Sequence, residues 1–369
     1  MKTIKVLSIF GTRPEAIKMA PLVKMLEDSS IIQSVVCVTA QHREMLDGVL
    51  ASFNITPDYD LDIMRHHQSL CDITNSALAG LEKIIRAELP HIVLVHGDTT
   101  TAFAGSLAAF YNRVPVGHVE AGLRTEDKYS PFPEEMNRRM IDCIADMYFA
   151  PTEYSKANLM RQNVKAEKIF VTGNTVIDAM RSTISEGYRH EVLDWIGESR
   201  FILLTAHRRE NLGEPMKEIF LGIRRALDES ENVKAVYPMH PSPKVRQVAK
   251  TVFKDCPKIR LIEPLEVRDF HNFQSRAHVI LTDSGGIQEE ATALGKPVLV
   301  LRNNTERPEG VFAGSLKLTG CASRSVYEST MRVLTDPAEY AKMSRPSTAY
   351  GDGRASERIT NAIINHFTG

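Results

Sequence analysis

Asp98 and Glu120 each stand just past an apolar run, in His96-Gly97-Asp98-Thr99-Thr100-Thr101 and in His118-Val119-Glu120-Ala121-Gly122-Leu123-Arg124. Glu134 opens a helix-like stretch behind Pro131-Phe132-Pro133. Carboxylates brought close together push each other's pKa values apart, so that one serves as base while another stays protonated as acid. Removing a weakly acidic carbon-bound proton, or protonating an alkene, needs such a pair. Humbler roles fit some of these residues equally well. An Asp behind a glycine and before threonines suits a helix cap, and compensation of a helix dipole accounts for one of Glu134 and Glu135. Glu120 has no capping role of that quality. His207, in Thr205-Ala206-His207-Arg208-Arg209-Glu210, combines a strand end with neighbouring guanidiniums. A lone histidine is more often structural than catalytic.

Two further loops have the makings of phosphate sites. Thr282-Asp283-Ser284-Gly285-Gly286-Ile287-Gln288-Glu289-Glu290 reads as a strand end, a tight glycine turn and a helix start. Ser284, Gly285 and Gly286 would let the backbone approach a ligand, and amides at a helix N-terminus favour a phosphate. Glu290, one turn in, would meet the hydroxyls of a ribose; an ordinary turn with a Ser284 cap reads as naturally. At the other end of the chain, Gly11-Thr12-Arg13-Pro14-Glu15-Ala16-Ile17-Lys18 sets two cations, Arg13 and Lys18, beside the amides of a first helical turn. Arg grips a phosphate in a bidentate way and Lys acts as a point charge. No G-x-G-x-x-G follows the first strand, which argues against a dinucleotide cofactor.

The elements that must carry these loops alternate. Strand-like runs are expected at Ile4–Phe10, Val35–Thr39, Ile92–His96, Val114–His118, Met147–Ala150 and Ile169–Thr172. A second series follows at Phe201–Thr205, Lys234–Pro238, Ile259–Ile262, Val279–Leu281 and Pro297–Leu301. Amphipathic stretches such as Ile73–Leu89, Thr101–Tyr111 and Met216–Leu227 lie between them. This pattern argues for α/β architecture with doubly wound parallel sheets. We expect two Rossmann-like domains, 1–174 and 175–352, facing across a cleft, with the last helix (353–369) packing back on the first. Open sheets of this kind bind ligands at the carboxyl ends of their strands.

At 369 residues the chain is too long for one comfortable core. Its net charge of −1 gives no electrostatic reason to expect a nucleic acid or an anionic membrane. The five cysteines show no C-x-x-C spacing, so neither a disulfide framework nor a zinc site is indicated. A cytoplasmic, reducing setting fits best. The N-terminal apolar run reads as the first strand and not as a signal peptide, and no run is long enough to span a bilayer.

With these loops in place, the chain resembles the bacterial non-hydrolysing UDP-N-acetylglucosamine 2-epimerases from residue 4 to about 360. The resemblance is carried by F-G-T-R-P-E-A-I-K-M-A-P (10–21), Q-H-R-E-M-L-D (41–47), H-G-D-T-T-T (96–101) and H-V-E-A-G-L-R-T (118–125). It continues through S-P-F-P-E-E-M-N-R (130–138), T-G-N-T-V-I-D (172–178), H-R-R-E (207–210), D-S-G-G-I-Q-E-E (283–290), E-R-P-E (306–309) and Y-G-D-G (350–353). It implies a GT-B-like fold, a homodimer, and UDP-N-acetylglucosamine and UDP-N-acetylmannosamine as ligands. It also implies a reaction with no metal and no redox cofactor. On the matching positions, Asp98, Glu120 and Glu134 would be the acid–base set with His207 beside them. Arg13, Lys18, Ser284, Gly285 and Gly286 would hold the diphosphate, and Glu290 the ribose. An activating second substrate molecule would meet Gln41, Arg43, Glu44, His67, Gln68, Glu135, Arg208 and His240. Glu44 stands where the family often has glutamine, and His67 where it often has arginine, so such activation should be weakened. A hydrolysing relative, a GT-B glycosyltransferase and a non-catalytic nucleotide-sugar-binding regulator are the competing readings.

Overall fold

Seven strands of the first half line up as one parallel sheet and six of the second half as another. A computed structural model describes residues 3–40, 43–65 and 68–369, without the side chains of residues 43–45 and 209. The first sheet comprises β1 (Ile4–Phe10), β2 (Ile32–Val38), β3 (Tyr59–Asp60), β4 (Ile92–His96), β5 (Val116–Val119), β6 (Met147–Ala150) and β7 (Ile169–Val171). The second comprises β8 (Arg200–Thr205), β9 (Val233–Pro238), β10 (Ile259–Ile262), β11 (Val279–Thr282), β12 (Val298–Val300) and β13 (Leu316–Leu318). Their orders are β3-β2-β1-β4-β5-β6-β7 and β10-β9-β8-β11-β12-β13. In both, strand order reverses beside the first strand, with Leu7 opposite Val93 in one sheet and Leu203 opposite Ile280 in the other. That reversal opens a crevice at the carboxyl ends.

Strands buried on both faces read as unbroken apolar runs, which is why most of them were visible in the sequence. Ile92 through Val95 and Val279 through Leu281 are all at 0% exposure. β3 and β13 are not among the strand-like runs of the sequence. Both lie at sheet edges, are only two and three residues long, and mix Asp60 or Lys317 into their runs. A strand paired on one side needs no apolar alternation to hold its place.

The chain divides into two compact units, residues 1–181 with 351–369, and residues 182–350. Most of the helix Thr175–Thr183 thus belongs to the first unit, although the sequence pattern places the start of the second domain at 175. The Asp178 carboxylate explains this by accepting the Ala355 and Ser356 amides at 3.2 and 2.8 Å, which caps the terminal helix Ala355–Thr368. That helix packs on the helix Arg13–Glu27.

In the first unit, the helix Thr100–Tyr111 is packed on several sides, with Ala102, Ala104, Ala108 and Ala109 all fully buried. A Cβ on Gly105 would lie 3.2 Å from a Val95 methyl, so small residues set how closely this helix approaches. In the second unit Leu204, Phe220, Tyr237 and Leu281 share one core, and Leu203, Phe273 and Ile280 another on the opposite sheet face. Each such side chain contributes about 1.5–3 kcal/mol by leaving water. Gly222 lets the helix Glu214–Glu229 meet the helix Ser323–Thr335, because a methyl there would lie 2.4 Å from the Ser323 carbonyl oxygen. Gly222→Ala should therefore cost about 1–3 kcal/mol by overpacking. A urea midpoint equal to that of the unchanged protein would contradict this.

Candidate active site

Asp98 is not a cap. Thr99 takes that role, its hydroxyl accepting the Ala102 amide at 3.0 Å. The carboxylate is left to meet Arg138, whose Nη2 donates to Oδ2 at 2.5 Å, while the Asp98 carbonyl accepts Asn137 Nδ2 at 2.9 Å. Both partners lie in the helix Glu134–Ile144. Glu134 is its first residue, three and four positions before Asn137 and Arg138, and so shares their face of the helix.

Glu120 is the most constrained of the acids. Its backbone has φ of +66°, a left-handed conformation uncommon outside glycine, and its side chain is only 8% exposed. Lys18 Nζ donates to Oε1, Asn174 Nδ2 donates to the same oxygen at 2.8 Å, and His96 Nε2 lies 3.6 Å from Oε2. A left-handed carboxylate held from several elements is the kind of strain that collects at functional sites. Gly97, at φ +65°, faces it: a Cβ there would lie 3.3 Å from Glu120 Oε2. Burial pushes the His96 imidazole down to about 3, although Glu120 pulls the other way, so the ring is neutral at ordinary pH.

The Gly11–Lys18 loop differs from the phosphate-loop expectation. The Glu15 carboxylate already accepts the Gly11 and Thr12 amides at 3.0 and 2.8 Å, and the Thr99 hydroxyl at 2.6 Å. Burial pushes Glu15 up to about 7 against the pull of these donors. With those amides taken, Arg13 and Lys18 are what the turn offers an anion, and Lys18 also serves Glu120. Glu135 is wholly buried, accepting Arg139 Nε at 2.8 Å and the Thr125 amide at 3.1 Å, with Arg138 at 3.6 Å. Its carboxylate is therefore spent on binding its own helix to the preceding loop. Gln68 likewise closes its own turn through Arg65 N and Ile63 O. Gln41 and His67 lie outside the described residues, as do the side chains of Arg43 and Glu44.

The second unit is organised by Asp283, which is fully buried. Its Oδ2 accepts the His207 and Arg208 amides at 2.9 Å each and Asn211 Nδ2 at 3.0 Å, tying the ends of β8 and β11 together. His207 is thereby held with its side chain 39% exposed, Nδ1 3.8 Å from Asp283 Oδ1. Its ring stacks on His240 at 5.2 Å, and burial and this neighbour both lower the His240 pKa. Ser284 occupies the N-cap of the helix Gly285–Ala293 without a side-chain cap bond, so the plain capping reading does not hold for its hydroxyl. A Cβ on Gly285 would lie 2.4 Å from Arg307 Nη1, so any side chain there would have to displace that guanidinium; a Cβ on Gly286 would have Glu290 Oε1 as its nearest atom, at 3.8 Å. Glu290 is buried and accepts Gln274 Nε2 at 2.6 Å.

Several residues that build these sites carry little signal in the sequence. His96 ends an apolar strand and looks like core, while Asn174 and Arg138 sit in quoted segments without a feature that assigns them a partner. Glu306 accepts Arg302 at 2.9 Å, Arg307 at 2.6 Å and Arg208 at 3.3 Å. Burial alone would raise its carboxyl, but Arg307, Arg208 and Arg302 hold it far below the ordinary range. The charge density of Glu306-Arg307-Pro308-Glu309 was the available signal. Among the described residues no group of three or more His, Cys, Asp or Glu side chains could hold a metal ion. No helix among them is long and apolar enough to cross a membrane.

A family model described as UDP-N-acetylglucosamine 2-epimerase matches residues 24–364. The chain is 60% identical over 367 residues to a UDP-N-acetylglucosamine 2-epimerase of Bacillus subtilis (strain 168), covering 100% of this chain and 97% of that one. It is similar to the S. aureus MnaA–UDP co-structure, with a TM-score of 0.94 and 54% identity over 100% of this chain and 97% of that one. It is also similar to the UDP-GlcNAc 2-epimerase of Neisseria meningitidis bound to UDP-GlcNAc, with a TM-score of 0.93 and 47% identity, covering 98% and 100%. The two all-parallel, doubly wound units are of the GT-B-like class that the resemblance implied.

The buried His96 gives a pH dependence with a definite sign. Its imidazole titrates near 6.5 when unfolded and near 3 when folded, so the unfolded state binds the proton first. His96 thus contributes stability above pH 6.5 that is lost as the pH falls toward 3. Glu15 acts oppositely: raised from 4.5 to about 7, it contributes stability below pH 4.5 that is lost as the pH rises through 7. His96→Gln should therefore lose less stability than the unchanged protein between about pH 7 and pH 5. Urea midpoints falling equally in both proteins would overturn this.

Proposed function

This chain belongs to the UDP-N-acetylglucosamine 2-epimerase family, and we propose that it interconverts UDP-N-acetylglucosamine and UDP-N-acetylmannosamine without releasing free sugar. The observation that carries the reading is the pairing of two differently held carboxylates in the first unit. Asp98 is fixed by Arg138 and partly open to solvent, whereas Glu120 is buried against Lys18 and Asn174. A reaction that removes a proton from one face of a carbon and returns one to the other needs two such groups.

In the proposed course, Asp98 takes the proton from the carbon bearing the acetamido group. The electron pair of that C–H bond forms the double bond to the anomeric carbon, and the anomeric C–O bond breaks with its pair going to UDP. The product, a 2-acetamidoglucal, stays bound. UDP oxygen then adds back to the anomeric carbon while a proton is delivered to the opposite face, with Glu120 and Glu134 as the remaining acid–base groups; His207 serves as an active-site residue of the second unit. The Ser284–Gly286 turn, with its helix N-terminus, holds the departing diphosphate, and groups so placed act most where charge develops. Glu290, oriented by Gln274, takes the ribose. No metal or redox cofactor takes part, and the enzyme works as a cytoplasmic homodimer supplying an N-acetylmannosaminyl donor for surface polysaccharide.

Asp98→Asn should lower kcat by about 10²–10⁴-fold, the usual contribution of a positioned general base, while UDP affinity by calorimetry stays unchanged. Near-normal turnover would remove Asp98 from the role of first base. Product analysis of the unchanged protein should give UDP-N-acetylmannosamine; UDP with free N-acetylmannosamine would instead make it a hydrolysing enzyme.

A further inference from the structure

Behind Asp98 and Glu120 lies a group of ionisable residues that this chemistry leaves unused. His118, in β5, is fully buried, with Nδ1 2.6 Å from Asp142 Oδ1 and Nε2 2.7 Å from the Gly97 carbonyl oxygen. The other Asp142 oxygen accepts Arg124 Nη2 at 2.6 Å, and Arg124 also donates to Gln162 Oε1 at 2.5 Å. Tyr148 braces the same corner, its hydroxyl bonding the Asp142 and Ala145 carbonyls at 2.8 and 2.7 Å.

The acceptors decide what the ring must be. The Arg124 guanidinium, always charged, donates to Asp142 Oδ2 at 2.6 Å in the same buried corner and favours the ionised carboxyl, so Asp142 accepts and brings no proton. A backbone carbonyl can only accept. A ring carrying one proton would therefore aim a lone pair at an oxygen at hydrogen-bond distance, which is costly in a dry interior.

We propose that His118 is a buried imidazolium that donates from both nitrogens and, through the Gly97 carbonyl, positions Asp98 for proton transfer. Gly97 sits at φ +65°, and its amide already donates to the Val119 carbonyl at 2.9 Å. With His118 on its carbonyl, both polar groups of this residue are fixed from β5. The next residue is fixed from the helix Glu134–Ile144, through Asn137 on the Asp98 carbonyl and Arg138 on its carboxylate. Asp142 lies four residues beyond Arg138 on that helix, so one helix anchors the corner directly and through His118. His118 touches no substrate in this account; it acts through the peptide before Asp98.

The kinetic arm of the test rests on the epimerase reading and the spectroscopic arm does not. Nitrogen-15 NMR of histidine-labelled protein, with the His118 signals identified by their loss in His118→Gln, should show both ring nitrogens protonated at neutral pH. A ring with one unprotonated nitrogen would overturn the proposal. His118→Asn keeps a donor near the Nδ1 position but cannot reach Gly97, whereas His118→Gln places a donor near the Nε2 position. His118→Asn should lower kcat about 10–100-fold, the scale of a displaced catalytic group, with KM nearly unchanged, and His118→Gln should recover much of that loss. Normal turnover in His118→Asn, or equal losses with raised KM in both variants, would contradict the positioning role. If either variant fails to fold, or if the unchanged protein does not epimerise, the signals of the unchanged protein, then assigned by their contact to Gly97, still decide the protonation state.

Discussion

The burial of Glu120 is the constraint from which the first unit follows. Taking a carboxylate out of water costs several kcal/mol even after relaxation, and an opposite charge offsets that only with good geometry and further hydrogen bonds. Lys18 supplies the charge from the helix after β1, and Asn174 supplies the second donor from beyond β7. The left-handed backbone at Glu120 turns the side chain toward both. Moving any of these elements would strand a buried charge. The sheet order that brings β1, β4 and β5 side by side is therefore as much a requirement of the site as the acids themselves.

The two units share one topology and use it differently. In the first, the amides of the turn after β1 are taken by Glu15, which draws Thr99 in as well and so ties the ends of β1 and β4. In the second, Asp283 at the end of β11 reaches across to the amides after β8. The helix behind it begins with Ser284 and two glycines and no side-chain cap. One carboxylate ties the first and fourth strands of each sheet, in opposite directions. This leaves a helix N-terminus for an anion in the second unit and a set of acids in the first.

Much of this was legible in the sequence because fully buried parallel strands leave continuous apolar runs, and loops behind them stand out by contrast. Asp98, Glu120, His207 and the Ser284–Gly286 turn stand out in the sequence for that reason. What was not legible is pairing across distant segments. Nothing local says that Asn174 meets Glu120, or that the Gly11 amide is used by Glu15 and so is closed to a phosphate. His96 and His118 hide for a related reason: each stands in an apolar strand, where a histidine looks like filling. Their roles come from an acceptor or a carboxylate brought up by another element. The edge strands β3 and β13 escaped because a strand paired on one side can be short and polar.

The central claim is that this chain's acids exchange the proton on the acetamido-bearing carbon. The most direct test is incubation with UDP-N-acetylglucosamine in heavy water, followed by proton NMR. The account predicts that UDP-N-acetylmannosamine appears with deuterium at that carbon, in step with its formation, and without free sugar. Formation of the epimer with the original proton retained would contradict it.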